Sequence, residues 1–354
     1  MNEPIVSVVM VVCNVERFLA ESMESILQQT FTNFEFIVVD FGSSDKSKQI
    51  VSNYAALDHR IRLHEIPHRG LAEARNAAFS LARGQYIAIM DADDVALPER
   101  LRWEVEFLEA HPEVGLVGGG TEWIDAAGRS ICTNEFPAED KELRLELARR
   151  CAFCQPTVLV RREAVTLAGG YREAFTPAED YDLWLRVVEH FQCANLTQVV
   201  LRYRIHPQQI SMRKQRRQTL GMLAAKASAS IRRSGKPDPL EGVQEITPQL
   251  LVSLGVSEAA QENEFVLQSR LWVRHMCMAG DDSAAFKAAV ELLQSNWKYV
   301  ERWQISDLHL TIAGLYWRQR KFLKCFLAAG RAVLKRPMVI GRPLKQWWHR
   351  PRST

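Results

Sequence analysis

The feature that most constrains this chain is an alternation of two hydrophobic periods along its first 110 residues. Residues 5–12 form a β-branched run, the pattern of a strand buried on both faces. Residues 16–29 then place Phe18, Leu19, Met23, Ile26 and Leu27 at helical spacing. Residues 34–39, 61–66 and 86–90 read as further strands, and helices are predicted over 71–82 and from Pro98 to about residue 110. Strands alternating with helices imply an α/β chain with a doubly wound, mostly parallel sheet. Such sheets bind ligands beyond the carboxyl ends of their strands. Polar clusters stand at those ends: Cys13-Asn14, residues 40–45 and residues 91–94, with Ser44 or Asp45 placed to cap the next helix.

The 354 residues, 47% hydrophobic and 25% charged, suffice for a large domain and a smaller one and exclude a disordered or collagen-like chain. The formal net charge of +3 hides an asymmetry. Residues 1–210 hold 21 Lys+Arg against 31 Asp+Glu, and residues 211–354 hold 24 against 11. The acidic first part and basic second part suggest different partners. The character changes at Arg213-Lys214-Gln215-Arg216-Arg217. A linker turn is predicted at 234–239, and helical periodicity recurs over 264–278, 283–293, 306–318 and 322–334. The expected division is therefore 1–212, α/β, and 213–354, basic and helical.

Seven cysteines without framework spacing fit a reducing compartment. No basic segment precedes the first strand, so no signal peptide is expected. The apolar run at 8–13 is far shorter than the roughly 20 residues of a membrane span. The expectation is a cytoplasmic protein, free or on the inner face of the membrane without crossing it.

Two acidic clusters carry candidate chemistry, and each has two readings. Asp91, Asp93 and Asp94 repel one another unless a cation sits among them, and oxygen ligands of this kind suit Mg²⁺ or Mn²⁺. They also suit a solvated acidic loop. Glu179 and Asp180 open an amphipathic helix, where acids are favoured by the helix dipole; a carboxylate in a cleft there would also serve as a general base. Cys151-Ala152-Phe153-Cys154 lacks a second ligand pair for zinc and reads as buried thiols. His206 reads as structural by default. There is no Gly-x-x-x-x-Gly-Lys-Ser/Thr loop and no Gly-x-Gly-x-x-Gly after the first strand, which argues against ATP hydrolysis and nicotinamide chemistry. No nucleic-acid partner is expected.

Taken in order, these residues resemble the family 2 glycosyltransferases of GT-A fold. The resemblance rests on Val6 to Met10 leading to Asn14, on Ser25-Ile26-Leu27-Gln28-Gln29-Thr30-Phe31, and on Val38-Val39-Asp40 with Gly42-Ser43-Ser44-Asp45. It continues through Ala74-Arg75-Asn76, Ala82 to Ala88, Asp91-Ala92-Asp93-Asp94, Glu179-Asp180-Tyr181-Asp182-Leu183-Trp184 and Tyr203-Arg204-Ile205-His206. It covers roughly residues 4–210. It implies an inverting, metal-dependent enzyme that moves a sugar from a nucleotide-sugar to a glycan or lipid-diphosphate-linked acceptor in polysaccharide synthesis. It implies Asp93 as metal ligand, with Asp91 and Asp94 assisting at metal or ribose, and His206 as a further metal ligand. Asp180 matches the catalytic base, and Arg75 a donor-binding arginine. Asn14, Asp40, Asp91 and Glu179 join Arg75 on the donor side.

Two positions depart from the pattern. Cys13 stands where the family usually has a Tyr that packs on the base, and Phe41 where it usually has a second Asp that accepts a base N–H. Each loss is worth roughly 1–3 kcal/mol. Phe41 is expected to supply the stacking face, leaving Asp40 for ribose or base; a base other than uracil, or impaired donor binding, is the competing explanation. The rival readings are a degenerate nucleotide-sugar-binding scaffold and a sugar nucleotidyltransferase. The second lacks its Gly-rich, Arg-containing loop after the first strand. The tail from Arg331 to Arg352 has no acid, and its Trp347 and Trp348 stand beside Lys345, His349 and Arg350. That composition suits docking on an anionic membrane surface or a solvated basic face.

Overall fold

The computed structural model describes residues 3–209, 214–295 and 297–336. Strands β1 (Val6–Val12), β2 (Phe34–Asp40), β3 (Ile61–Glu65) and β4 (Tyr86–Asp91) pair in parallel in the order β3-β2-β1-β4. They alternate with α1 (Glu16–Leu27), α2 (Ser47–Leu57) and α3 (Leu71–Leu81), and α4 (Arg100–Ala110) follows. Val8, Met10, Phe36, Val38, Ala88 and Met90 share one core with Leu19, Met23 and Ile26 of α1 and Leu101 and Leu108 of α4. The alternate residues Val9, Ile37, Val39, Ile87 and Ile89 are buried as well. Burial on both faces is the physical reason these strands are apolar without interruption.

Past β4 the sheet turns antiparallel, which the alternating pattern does not reach. The remaining strands are β5 (Val95–Ala96), β6 (Val114–Ile124), β7 (Ser130–Asn134), β8 (Leu159–Arg161) and β9 (Gln192–Arg204). The path runs β4-β8-β6-β9-β5, with β7 beside β6. Helices α5 (Asp140–Leu147), α6 (Arg162–Ala168) and α7 (Glu179–Val187) lie in the same stretch of chain.

The chain divides into two compact units, each assembled from separate segments. The first holds residues 1–123, 133–204 and 224–245; the second holds 124–132, 205–223 and 246–354. Helix α8 (Gln215–Arg233) is followed by α9 (Pro248–Ser253), α10 (Glu258–Met278), α11 (Asp282–Gln294), α12 (Arg302–Arg318) and α13 (Phe322–Lys335). In the second unit Val266, Val273, Met276, Ala285, Ala289, Leu308, Ile312 and Leu315 are buried. Ser257 and Asp281 cap α10 and α11 by accepting the backbone N–H groups of Ala260 and Ala284 at 3.2 and 2.9 Å. Among the described residues no helix is long and apolar enough to cross a membrane. Arg213, Trp347, Trp348, Lys345, His349 and Arg350 lie outside the described residues.

Candidate active site

The parallel register sets Val12 opposite Asp40 and Val11 opposite Asp91, so the ends of β1, β2 and β4 form one edge. Asn14 sits there in the left-handed region (φ 54°), a conformation that asparagine tolerates. Its Oδ1 accepts from the Ser44 N–H at 2.8 Å, the Ser44 hydroxyl at 3.0 Å and the Asp45 N–H at 3.3 Å. The sequence places Asn14 on the donor side; the structure spends its carbonyl on the neighbouring loop. Asp45 adds a second tie, accepting from Glu16 N–H at 3.0 Å and Ser47 N–H at 2.9 Å. Burial alone would raise its pKa, but the Ser47 bonds hold it low.

Asp40 is buried. Its Oδ1 accepts from the Gly42 and Ser43 N–H groups at 3.1 and 3.0 Å, and its Oδ2 is buried without a hydrogen-bond partner. Phe41 is 6% exposed, its ring 5.3 Å from that of His68. Gly42 has φ +96°, and a Cβ there would stand 3.1 Å from the His68 Cβ. Cys13 is partly exposed, and burial followed by the charges of Asp40 and Asp45 pushes its thiol up.

Arg75 of α3 gathers the two acidic clusters. It ion-pairs with Glu179, the first residue of α7, and with Asp91 at 3.1 Å. Its guanidinium lies 5.7 Å from the Tyr171 ring centre. With the Gln155 amide oxygen turned toward Arg75 (2.8 Å), the amide nitrogen donates to Asp180 Oδ2 at 3.2 Å. Glu179 Oε2 is buried without a hydrogen-bond partner. Asp180 accepts from the Tyr181 N–H at 2.7 Å. Burial, then the charge of Glu179, pushes its carboxyl up to about 7.

Arg204, at the end of β9, fixes the 91–94 segment. Its N–H donates to Asp94 Oδ1 at 2.7 Å, its Nε to the Asp93 carbonyl at 2.8 Å, and its guanidinium pairs with Glu21 at 2.6 Å. Asp94 is 1% exposed, with Oδ2 buried and unpartnered. Burial followed by the charges of Asp93 and Asp91 holds its carboxyl well above the usual range. Burial also raises Asp91 despite Arg75. Asp93 is partly exposed. Among the described residues no three His, Cys, Asp or Glu side chains form a ready-made metal cage. His206 is buried in the second unit, where its N–H donates to Gln209 Oε1 at 3.3 Å.

Two groups extend what the sequence indicates. Gln155 and Tyr171 are neutral and isolated, with no charge pattern to mark them. Cys151 and Cys154 read as buried thiols, yet they face the carboxylates. Burial and the charge of Asp180 push Cys151 up, and burial followed by Asp94 and Asp91 does the same to Cys154. Both are thereby held as inert protonated thiols.

The sheet thus turns from parallel to antiparallel, and Arg75 links the acid at the end of β4 to the one that opens α7. Residues 7–166 match the model for glycosyl transferase family 2. Over 206 residues the chain is 32% identical to the O-antigen biosynthesis glycosyltransferase WbnJ of Escherichia coli, across 57% of this chain and 80% of that one. It is 29% identical over 217 residues to the E. coli UDP-Glc:alpha-D-GlcNAc-diphosphoundecaprenol beta-1,3-glucosyltransferase WfgD, across 60% and 82%. The mannosyltransferase PcManGT of Pyrobaculum calidifontis, solved with GDP-Man and Mn²⁺, shares the fold at a TM-score of 0.51 and 18% identity, over 95% of this chain and 87% of that one. The chain belongs to the family 2 glycosyltransferases.

Proposed function

We propose that residues 1–212 form a catalytic domain that moves one hexose from a nucleotide-sugar to a hydroxyl of a glycan or lipid-diphosphate-linked acceptor. Transfer occurs on the cytoplasmic side, inverts the anomeric carbon and contributes to a cell-surface polysaccharide. WbnJ is named for O-antigen synthesis and WfgD for a diphosphoundecaprenol-linked acceptor, and both names support this reading. The observation that carries the chemistry is the difference between two adjacent acids. Arg75 neutralises Glu179, whereas Asp180 has a pKa of about 7, matched to accept a proton near neutral pH.

Asp180 takes the proton of the acceptor hydroxyl as its oxygen bonds to the anomeric carbon. The bond from that carbon to the diphosphate oxygen breaks, and the nucleoside diphosphate leaves. Arg75 lends positive charge on the donor side. The unpartnered Asp40 Oδ2 offers an acceptor for a base N–H or ribose hydroxyl, and Asn14 the loop geometry around it; Phe41, 6% exposed beside His68, has to turn outward to stack on a base.

Asp93, with Asp91 and Asp94, would hold Mn²⁺ or Mg²⁺. The donors are all hard oxygens, and the orphaned, buried Asp94 Oδ2 is an acceptor that such a cation satisfies. Three carboxylates are fewer than the ligands these ions take, which leaves room for donor oxygens and water. Once bound, the ion supplies charge neutralisation for the departing diphosphate.

The test is a screen of UDP-, GDP- and dTDP-sugars for transfer or hydrolysis in Mn²⁺. Loss of turnover in Asp93→Ala and Asp180→Asn supports the reading; wild-type inactivity with every donor supports a binding scaffold. If Phe41→Ala leaves the affinities for UDP, GDP and dTDP unchanged, the stacking role is wrong.

A further inference from the structure

Helix α13 packs within its unit through the small residues Cys325, Ala328 and Ala332. The opposite side is apolar and open. Leu323, Phe326, Leu327 and Leu334 follow one helical stripe and are 75%, 68%, 59% and 84% exposed. Single exposed leucines are ordinary, but four large apolar side chains in a row mark an interaction surface.

The margin of that stripe is cationic. Lys324 and Arg331, seven residues apart, are exposed along one edge. They line a cleft of about 460 Å³ between α11, α12 and α13, together with Leu293, His309, Ile312 and Tyr316. Among the described residues no carboxylate lines the cleft. Of the acids on these helices, Asp282 pairs with Arg318 at 2.7 Å, Asp307 pairs with Arg270, and Glu291 is exposed. His309 is pushed to lower pKa by burial and then by the charges of Arg331 and Lys335. Residues 308–354 contain 11 Lys+Arg and no Asp or Glu.

We infer that α13 and its cleft dock on an anionic phospholipid surface. Leu323, Phe326 and Leu334 enter the boundary between headgroups and acyl chains, while Lys324 and Arg331 meet lipid phosphates and the cleft receives a headgroup phosphate. Two copies joined through this same face would set cations against cations. A nucleic acid would engage the cations and leave the leucines in water. The inference is independent of the catalytic reading, because it requires neither donor nor acceptor.

Sedimentation of the full chain with phosphatidylcholine vesicles, and with vesicles containing about one-third phosphatidylglycerol, tests it. Binding is expected only to the anionic vesicles. It weakens about tenfold or more when Lys324→Glu and Arg331→Glu are combined, and it is lost in Leu323→Ser/Phe326→Ser. Both variants change exposed positions, and an unchanged melting temperature shows that they fold. Failure of the wild type to bind anionic vesicles overturns the inference, as does full binding by either variant. A dimer made monomeric by Phe326→Ser with vesicle binding intact assigns the face to a second copy. Single-stranded DNA retained by the wild type, released by Lys324→Glu but not by Phe326→Ser, assigns it to nucleic acid.

Discussion

Asp180 is held close to neutrality by burial and by Glu179, and two measurements follow from that. Asp180→Asn removes the proton acceptor while preserving shape, so kcat falls by about two to four orders of magnitude with donor affinity little changed. In the wild type, kcat/KM rises with pH along a limb centred at about 7, as Asp180 loses its proton. Stability moves the other way. The folded pKa lies above the unfolded value, so the contribution of protonated Asp180 is complete below about pH 4 and is lost as pH rises to about 7. Asp180→Asn, which does not titrate, therefore gains on the wild type across that window by up to about 1.4 kcal/mol per pH unit. Urea titrations at several pH values read the difference directly. The acids themselves are legible in the sequence because three carboxylates in four residues demand an explanation. Gln155 and Tyr171 are not, since a neutral side chain brought in by a turn leaves no local pattern.

Helix α7 shows how an element carries a residue to its task. Beneath Glu179 and Asp180, the 1%-exposed Asp182 accepts from Arg186 at 2.7 Å and pairs with Arg172, which also holds Asp238 at 2.9 Å. Asp182→Ala leaves two guanidinium groups without their shared partner and is expected to cost about 3–5 kcal/mol in chemical denaturation. Gly42→Ala forces a side chain into φ +96° against His68 and is expected to cost about 1–2 kcal/mol. Elements whose period spans a whole strand or helix are read directly: β1, β2, β4, α1 and α3 stand within a few residues of the positions expected for them. The short antiparallel strands escape that reading. β5 has two residues and β8 three, too few to display any period, and their pairing is fixed by partners far away in the chain.

At the scale of the whole molecule, a nucleoside diphosphate with Mn²⁺ at a hundred times its dissociation constant is expected to stabilise the chain by about 2.7 kcal/mol. Calorimetry reads this as a higher melting temperature, and Asp93→Ala or chelation of the metal removes the gain. The sequence discloses the change from an acidic to a basic half, but not how the compact units draw on separated segments, because residues 124–132 carry no mark of belonging with 246–354. One small contact reaches further than its size. Through Asn14, the turn after β1 and the turn after β2 are a single piece of architecture. Two of the three bonds that Asn14 accepts come from backbone N–H groups, which remain when residues 44 and 45 change identity, whereas the acceptor is the Asn14 side chain itself. Tolerance to change along this edge is therefore one-sided: a library that varies residue 14 is expected to return fewer folded members than one that varies residue 44.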